Sequence, residues 1–264
     1  DTSTRCTPPS LQQLNTMSSR GLPPETNPVL TAYESFVRDT PLVTRYVLTS
    51  LTGSYVLSYL FDPTMALSCL PLYTVLKLEL YRIALSPVVC TSALTLAFAF
   101  LSFVDQGRRL EADMGSCSFA LLIGTIGCAT NLIHLVVCFV LYGLTGSELW
   151  LLEPSHGVWT VLLGVIAAEC SGGQAGARRR LFGFEFEARY YPLALLGFFS
   201  LLGGFRPAYA YGVGVGYLQG YGKLDFLRAK ESTRQGWEDG ILRNFVRRQG
   251  WVSVGSAAGS GGEG

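Results

Sequence analysis

Along this chain, hydrophobic positions gather into long uncharged runs separated by short polar stretches. Residues 46–61 form the first apolar segment, with Arg45 placed to snorkel at its start and Asp62-Pro63 ending it. A partly apolar loop leads to about residue 82. Residues 83–104 are 22 positions without a charge, long enough to cross a hydrocarbon core about 30 Å thick. The stretch Asp-Gln-Gly-Arg-Arg at 105–109 predicts a tight polar turn closing that span. Residues 114–147 carry no formal charge over 34 positions, whereas one crossing needs about 20. The surplus is expected in the interface or dipping back into the protein. Residues 154–168 are a run of 15, which rises only about 22 Å as a helix. That length suits a span enclosed by its neighbours better than one facing lipid. A Gly/Arg loop follows at 171–180. The runs 190–205 and 207–222, broken only by Arg206-Pro207, predict a helical hairpin. The pattern therefore predicts an all-α, polytopic membrane protein with six spans in residues 41–225. A flexible N-terminal arm (1–40) precedes them and a cytosolic tail (226–264) follows.

Composition agrees with this reading: 49% of residues are hydrophobic and 15% charged, against about 25% charged in a typical soluble domain. Net charge is +1, which argues against a nucleic-acid partner. Lys and Arg are unevenly shared between the two sides. With the N-terminus in the cytosol, Arg108, Arg109, Arg178, Arg179, Arg180 and Arg189 fall in cytosolic loops, and Lys223, Arg228, Lys230 and Arg234 in the tail. The opposite side has Lys77, Arg82 and Arg206. Both termini in the cytosol is the better topology. The first 25 residues lack an apolar core, so no cleavable signal is visible and the first span is expected to engage the insertion machinery. The seven cysteines include no CxxC pair and read as small packing residues, not as a metal site or disulfide framework. His134 and Cys138 share a helix face, but two ligands do not make a zinc site. No metal or other cofactor is expected. In the last run Gly212, Gly216 and Gly220 recur every four residues, so they stack on one face and let another backbone approach. Gly214 and Gly222 are expected to widen that groove. In the tail, Trp237, Ile241, Leu242, Phe245 and Val246 mark a candidate apolar helix face beside Arg243, Arg247 and Arg248. The end of the chain is Gly/Ser-rich.

Four motifs fall in a recognisable order. Glu79-Leu-Tyr-Arg82 precedes the second span, and Arg109-Leu-Glu-Ala-Asp-Met-Gly-Ser116 follows it. His156-Gly157 opens the short fourth span, and the glycine ladder marks the last. Together they resemble the rhomboid superfamily over roughly residues 41–225. Leu110, Glu111, Gly115 and Ser116 match its Leu-Glu-x-x-x-Gly-Ser turn directly. Tyr81-Arg82 stands where the superfamily has Trp-Arg. With Gly157 aligned to the glycine after the family nucleophile, His156 occupies the serine position. With the ladder aligned, Tyr209 occupies the position of the general base. A serine needs a base within hydrogen-bond reach to become nucleophilic. Neither of the two histidines, His134 and His156, lies in the last span.

The resemblance is therefore to inactive rhomboid-like pseudoproteases: the Derlins and the rhomboid-like proteins that carry a ubiquitin-associated domain. The stretch after Gly222 is expected to be too short for such a domain. What this implies is a six-helix rhomboid-like bundle in the endoplasmic-reticulum membrane, a client-binding scaffold in quality control and ERAD. Its partners would be the lipid bilayer, transmembrane client proteins, and ubiquitin ligase or extraction machinery. Arg82 is expected to anchor the luminal loop, and Glu111 to satisfy backbone donors in the 107–116 turn. His156 is expected to keep a small hydrated cavity. Two alternatives stay open: an intramembrane serine protease with displaced residues, Ser155 serving as nucleophile, or a transporter or channel subunit.

Overall fold

The computed structural model describes residues 27–172, 178–181, 184–204, 206–227 and 229–253. The arm as far as residue 26 (with Cys6), the loop at 173–177, Phe205, Arg228 and the Gly/Ser-rich end from residue 254 lie outside the described residues. Within the expected arm, α1 (Pro28–Asp39) is an amphipathic helix and belongs to a separate compact unit ending at Asp39. Everything below concerns the unit from Thr40 onward.

That unit is mainly helical. Helix α2 (Leu42–Leu57) starts after Pro41 and gives way to turns before Asp62, whose side chain caps α3 (Pro63–Leu67) by accepting from Thr64 N at 2.9 Å. A π-helical turn at Leu72–Leu76, the short α4 (Tyr81–Leu85) and a 3₁₀ turn at Ser86–Val88 fill the next loop. Then come α5 (Ala93–Met114), α6 (Ser116–Thr145) and α7 (Val158–Ser171). Last in the bundle are α8 (Tyr191–Gly203) and α9 (Pro207–Gly220), followed in the tail by α10 (Glu231–Asp239) and α11 (Arg243–Val246).

Helix α7 is the centre of the bundle. Every residue from 158 to 167 is buried, although the helix rises only about 21 Å. The apolar run is thus an enclosed helix, shifted to start after Gly157. Helix α9 packs on it most closely, and α6, α8 and α5 complete the surround. The glycine ladder makes the α7–α9 contact. A Cβ on Gly212 would collide with the Thr160 carbonyl oxygen, one on Gly216 with that of Gly164, and one on Gly220 with Ser171 Oγ. Gly164 returns the contact against the Gly212 carbonyl. Such close backbone approach is what small residues at i, i+4 permit. Gly214, by contrast, faces open space, and Gly222 lies beyond the end of α9, so neither widens the groove.

Several expectations are corrected. Residues 83–104 are not one continuous helix: α4 with its 3₁₀ turn and α5 meet at 86° across residues 89–92. Pro87 and the extended backbone at Val89 break the helix there. Residues 105–109 are not a turn but continue α5, because their polar groups find partners on α7. Gln106 Nε2 donates to Glu169 Oε2 at 3.2 Å and Arg109 Nη2 to Glu169 Oε1 at 2.6 Å. The turn comes at Gly115, whose φ of 84° suits glycine. Residues 114–147 neither dip back nor break: α6 is one helix of 30 residues, about 45 Å long. The all-α class holds, with one small addition: β1 (Arg178–Leu181) and β2 (Phe184–Glu187) pair antiparallel between α7 and α8. The helical hairpin of α8 and α9 stands as expected. Among the described residues, α6 is long and apolar enough to cross a membrane alone, and α4 with α5 reaches that threshold only as a bent pair.

Candidate functional site

Three polar arrangements hold the bundle together, and the fourth lines a cavity. The first is built on Glu111, which has no exposed surface. Its carboxyl oxygens accept from Val43 N (2.9 Å), Thr44 N (2.8 Å), Thr44 Oγ1 (2.9 Å) and Ser116 Oγ (2.6 Å). Val43 and Thr44 are in the first turn of α2, whose amide donors have no partner inside the helix. Glu111 therefore caps α2 from a distance of 67 residues in sequence; within the 107–116 turn it meets the Ser116 hydroxyl and not the backbone donors expected. Leu110 is buried beside it, and Ser116 Oγ also accepts from Val252 N at 3.0 Å.

The second is Arg82. It is buried, with Nε on Glu79 Oε2 (2.5 Å) and Nη1 donating to the carbonyls of Met65 (2.8 Å) and Ser68 (3.1 Å). Its guanidinium lies over the rings of Tyr73 and Tyr81. Arg82 thus ties the 62–82 loop to the carbonyl end of α3, and Tyr81 covers it from the exposed side. The third arrangement is one that sequence reasoning missed. Asn131, buried in the middle of α6, donates through Nδ2 to Ile83 O (2.7 Å) and Ser86 Oγ (2.7 Å) and accepts from Ser155 Oγ at 2.9 Å. The signal available was a lone amide inside an uncharged run.

The cavity, about 180 Å³, opens at the start of α7 and α9 and is lined by His134, Glu153, His156, Arg206 and Tyr209. His156 and Tyr209 are 53 positions apart in sequence and meet in this one space. His156 Nδ1 is buried and has no hydrogen-bond partner among the described residues. His134 Nε2 lies 3.0 Å from the Glu153 carbonyl, and Cys138 Sγ 3.6 Å from the same nitrogen. Gly157, at φ 100°, turns the chain from the cavity into α7. Ser155 is next to His156, but its hydroxyl is committed to Asn131, and its backbone pairs with Cys69. Among the described residues no group of three or more His, Cys, Asp or Glu could hold a metal ion. The six described cysteines are free, and all but Cys128 are buried.

A groove of about 200 Å³ runs along the bundle between α5 and α8, with α7 as its floor. Ser102 and Gln106 line one wall, Tyr191, Leu195 and Phe199 the other, and Trp159 packs on Phe199 with ring centroids 4.3 Å apart. The family described as eukaryotic integral membrane protein (DUF1751) matches residues 45–241, which include Arg82, Glu111, Asn131 and the residues lining the cavity and the groove, while Val43 and Thr44 lie just before it. The chain belongs to this family. Comparison with curated proteins gave no match, and comparison with solved structures gave none either. For an integral membrane protein, the value of the Glu111, Arg82 and Asn131 pairings is plain: lipid offers no replacement partners for polar groups left open.

Proposed function

We propose that this DUF1751 protein is a rhomboid-like, catalytically inactive scaffold that holds transmembrane segments of other proteins. The observation that carries the reading is the groove between α5 and α8, floored by a buried helix too short to reach across a bilayer. Helices α7, α8 and α9, at 14, 13 and 14 residues, rise about 20 Å each against a core of about 30 Å. Lipid around them would thin to meet them. A client helix would then exchange a strained lipid contact for the apolar walls of the groove, with Ser102 and Gln106 available to polar groups that lipid cannot serve.

The six-span topology with both termini cytosolic belongs to the same reading, as does loss of proteolysis. What supports the latter is the occupancy of the paired positions by His156 and Tyr209 and the commitment of Ser155 to Asn131. In its narrower form the reading assigns the scaffold to the endoplasmic reticulum, feeding clients to ubiquitin ligase or extraction machinery in ERAD.

The test is site-specific photocrosslinking in cells, with the probe at Ser102 or Leu195 and a control probe at the exposed Leu144. Adducts to membrane proteins at the groove positions, absent from the control, are expected. Equal yields at all three positions would sink the scaffold. Cleavage of a model transmembrane substrate that disappears on Ser155→Ala would overturn the inactive reading. Proximity labelling without ligase or extraction components would remove the narrower form alone.

A further inference from the structure

The tail folds back onto the bundle and leaves a second space that the scaffold reading does not use. Leu42 N donates to Gly250 O at 2.8 Å, Ser116 N to Val252 O at 2.8 Å, and Arg45 Nη2 to Gln249 O at 2.5 Å. These bonds fix residues 249–252 across the first turns of α2 and α6. Helix α10 meets α6 where Arg234 donates to Ser118 Oγ, and α11 meets α2 where the Phe245 ring stands edge-on to Tyr46. Between them is a cleft of about 510 Å³, within the range of roughly 300–1,000 Å³ typical of ligand pockets. Its walls are apolar: Val43 and Val47 from α2, Ala120 and Leu121 from α6, Trp237 and Phe245 from the tail. Ile241, also on its wall, is 81% exposed, so the cleft is open at the tail side.

Two features of its rim are polar and unbalanced. The tail from 237 to 253 carries Arg243, Arg247 and Arg248 against Glu238 and Asp239, a net +1, and Glu238 is buried. Arg248 sits at the rim itself, over the Phe245 ring and donating to Tyr46 Oη at 2.5 Å. Arg45 reaches the tail from the neighbouring position on α2. Trp251, another wall residue, has a buried indole N–H with no acceptor among the described residues. An occupant matching these walls has a long hydrocarbon portion, an acceptor near its polar end and a negative charge at the mouth.

We propose that the cleft between the tail and α2/α6 binds one acyl chain of an anionic phospholipid, whose phosphate lies against Arg45 and Arg248. The acyl chain fills the apolar interior, and an ester carbonyl accepts from Trp251 Nε1. Charge at the mouth selects for anionic headgroups, since basic side chains at a membrane surface attract them. The site stands independently of whether the α5–α8 groove takes a client.

The test uses the full chain reconstituted in phosphatidylcholine vesicles containing a trace of lipid with a photoactivatable acyl chain, either phosphatidylserine or phosphatidylcholine. Adducts are mapped by mass spectrometry. The phosphatidylserine probe is expected to label peptides containing 117–121 and 237–251 at least fivefold more than the phosphatidylcholine probe. Ala120→Trp, which fills the cleft from an exposed position on α6, should cut that label at least tenfold. Arg248→Gln should bring the phosphatidylserine label down to the phosphatidylcholine level. Labelling around Leu144, at the other end of α6, should be unchanged in both variants and reports an intact, inserted bundle. Equal labelling by the two probes in the unaltered chain would mean ordinary bilayer contact and overturn the proposal. So would label that survives Ala120→Trp, or no label in the cleft at all.

Discussion

A carboxyl group without exposed surface needs a donor for each of its lone pairs, and Glu111 has four. Removing it leaves two backbone amides and two hydroxyls unsatisfied, each costing about 1–3 kcal/mol when buried. Glu111→Ala is expected to lower stability by at least about 3 kcal/mol, measured by reversible unfolding in mixed micelles. Thr44→Val removes a single hydroxyl donor and is expected to cost about 1 kcal/mol in the same assay. Asn131→Leu frees Ile83 O, Ser86 and Ser155 together, and is expected to cost about 2 kcal/mol. It should also make Cys69, paired with Ser155 in the backbone, accessible to a maleimide that leaves Cys69 unmodified in the unaltered protein, as read by mass spectrometry of its peptide. That thiol is held inert by burial, which pushes it up to about 11, so little thiolate exists near neutral pH. At this scale the sequence was half legible. The residues of the Leu110–Ser116 motif could be picked out, and so could Arg82. Their partners could not, because Thr44 and Met65 lie far away in sequence and only the folded chain brings them near.

The glycine ladder makes a prediction at the level of helix pairs. Gly216→Ala puts a methyl group into the Gly164 carbonyl, so α7 and α9 must separate or distort along their whole contact. A loss of about 2 kcal/mol or more is expected, by analogy with overpacked cores. Gly214→Ala, two residues away, meets open space and should be neutral or stabilising by up to about 1 kcal/mol, since alanine is the better helix former. Unfolding curves of the two variants side by side check both. The ladder was readable because its spacing is a property of one helix. The α8–α9 hairpin was readable because Arg206-Pro207 interrupts an otherwise apolar run. The α4–α5 bend was hidden because apolar content is blind to direction, and residues 83–104 stay apolar through it. The supposed polar turn at 105–109 failed for a related reason. Charges inside a helix are unremarkable once a partner such as Glu169 faces them, and a single sequence does not display the partner.

For the molecule as a whole, the contrast between α6 and α7–α9 sets the dependence on its surroundings. One helix spans about 45 Å and three neighbours about 20 Å each, so a bilayer of uniform thickness cannot match both. Stability in vesicles of increasing acyl length is expected to fall from 14-carbon to 22-carbon chains, as the cost of thinning around the short helices rises. A flat profile across the series would show that they are sheltered from lipid. The clamp at residues 249–252 bears on how the protein comes to be made. The donors at the start of α2 are met by Glu111 and Gly250, and both are translated after that helix. Helix α2 thus waits for its last partner until Gly250, about 200 residues further along the chain, has been made. Synthesis order and assembly order run in opposite directions here. An intermediate stalled before the clamp keeps the start of α2 open to whatever chaperone guards unfinished membrane proteins.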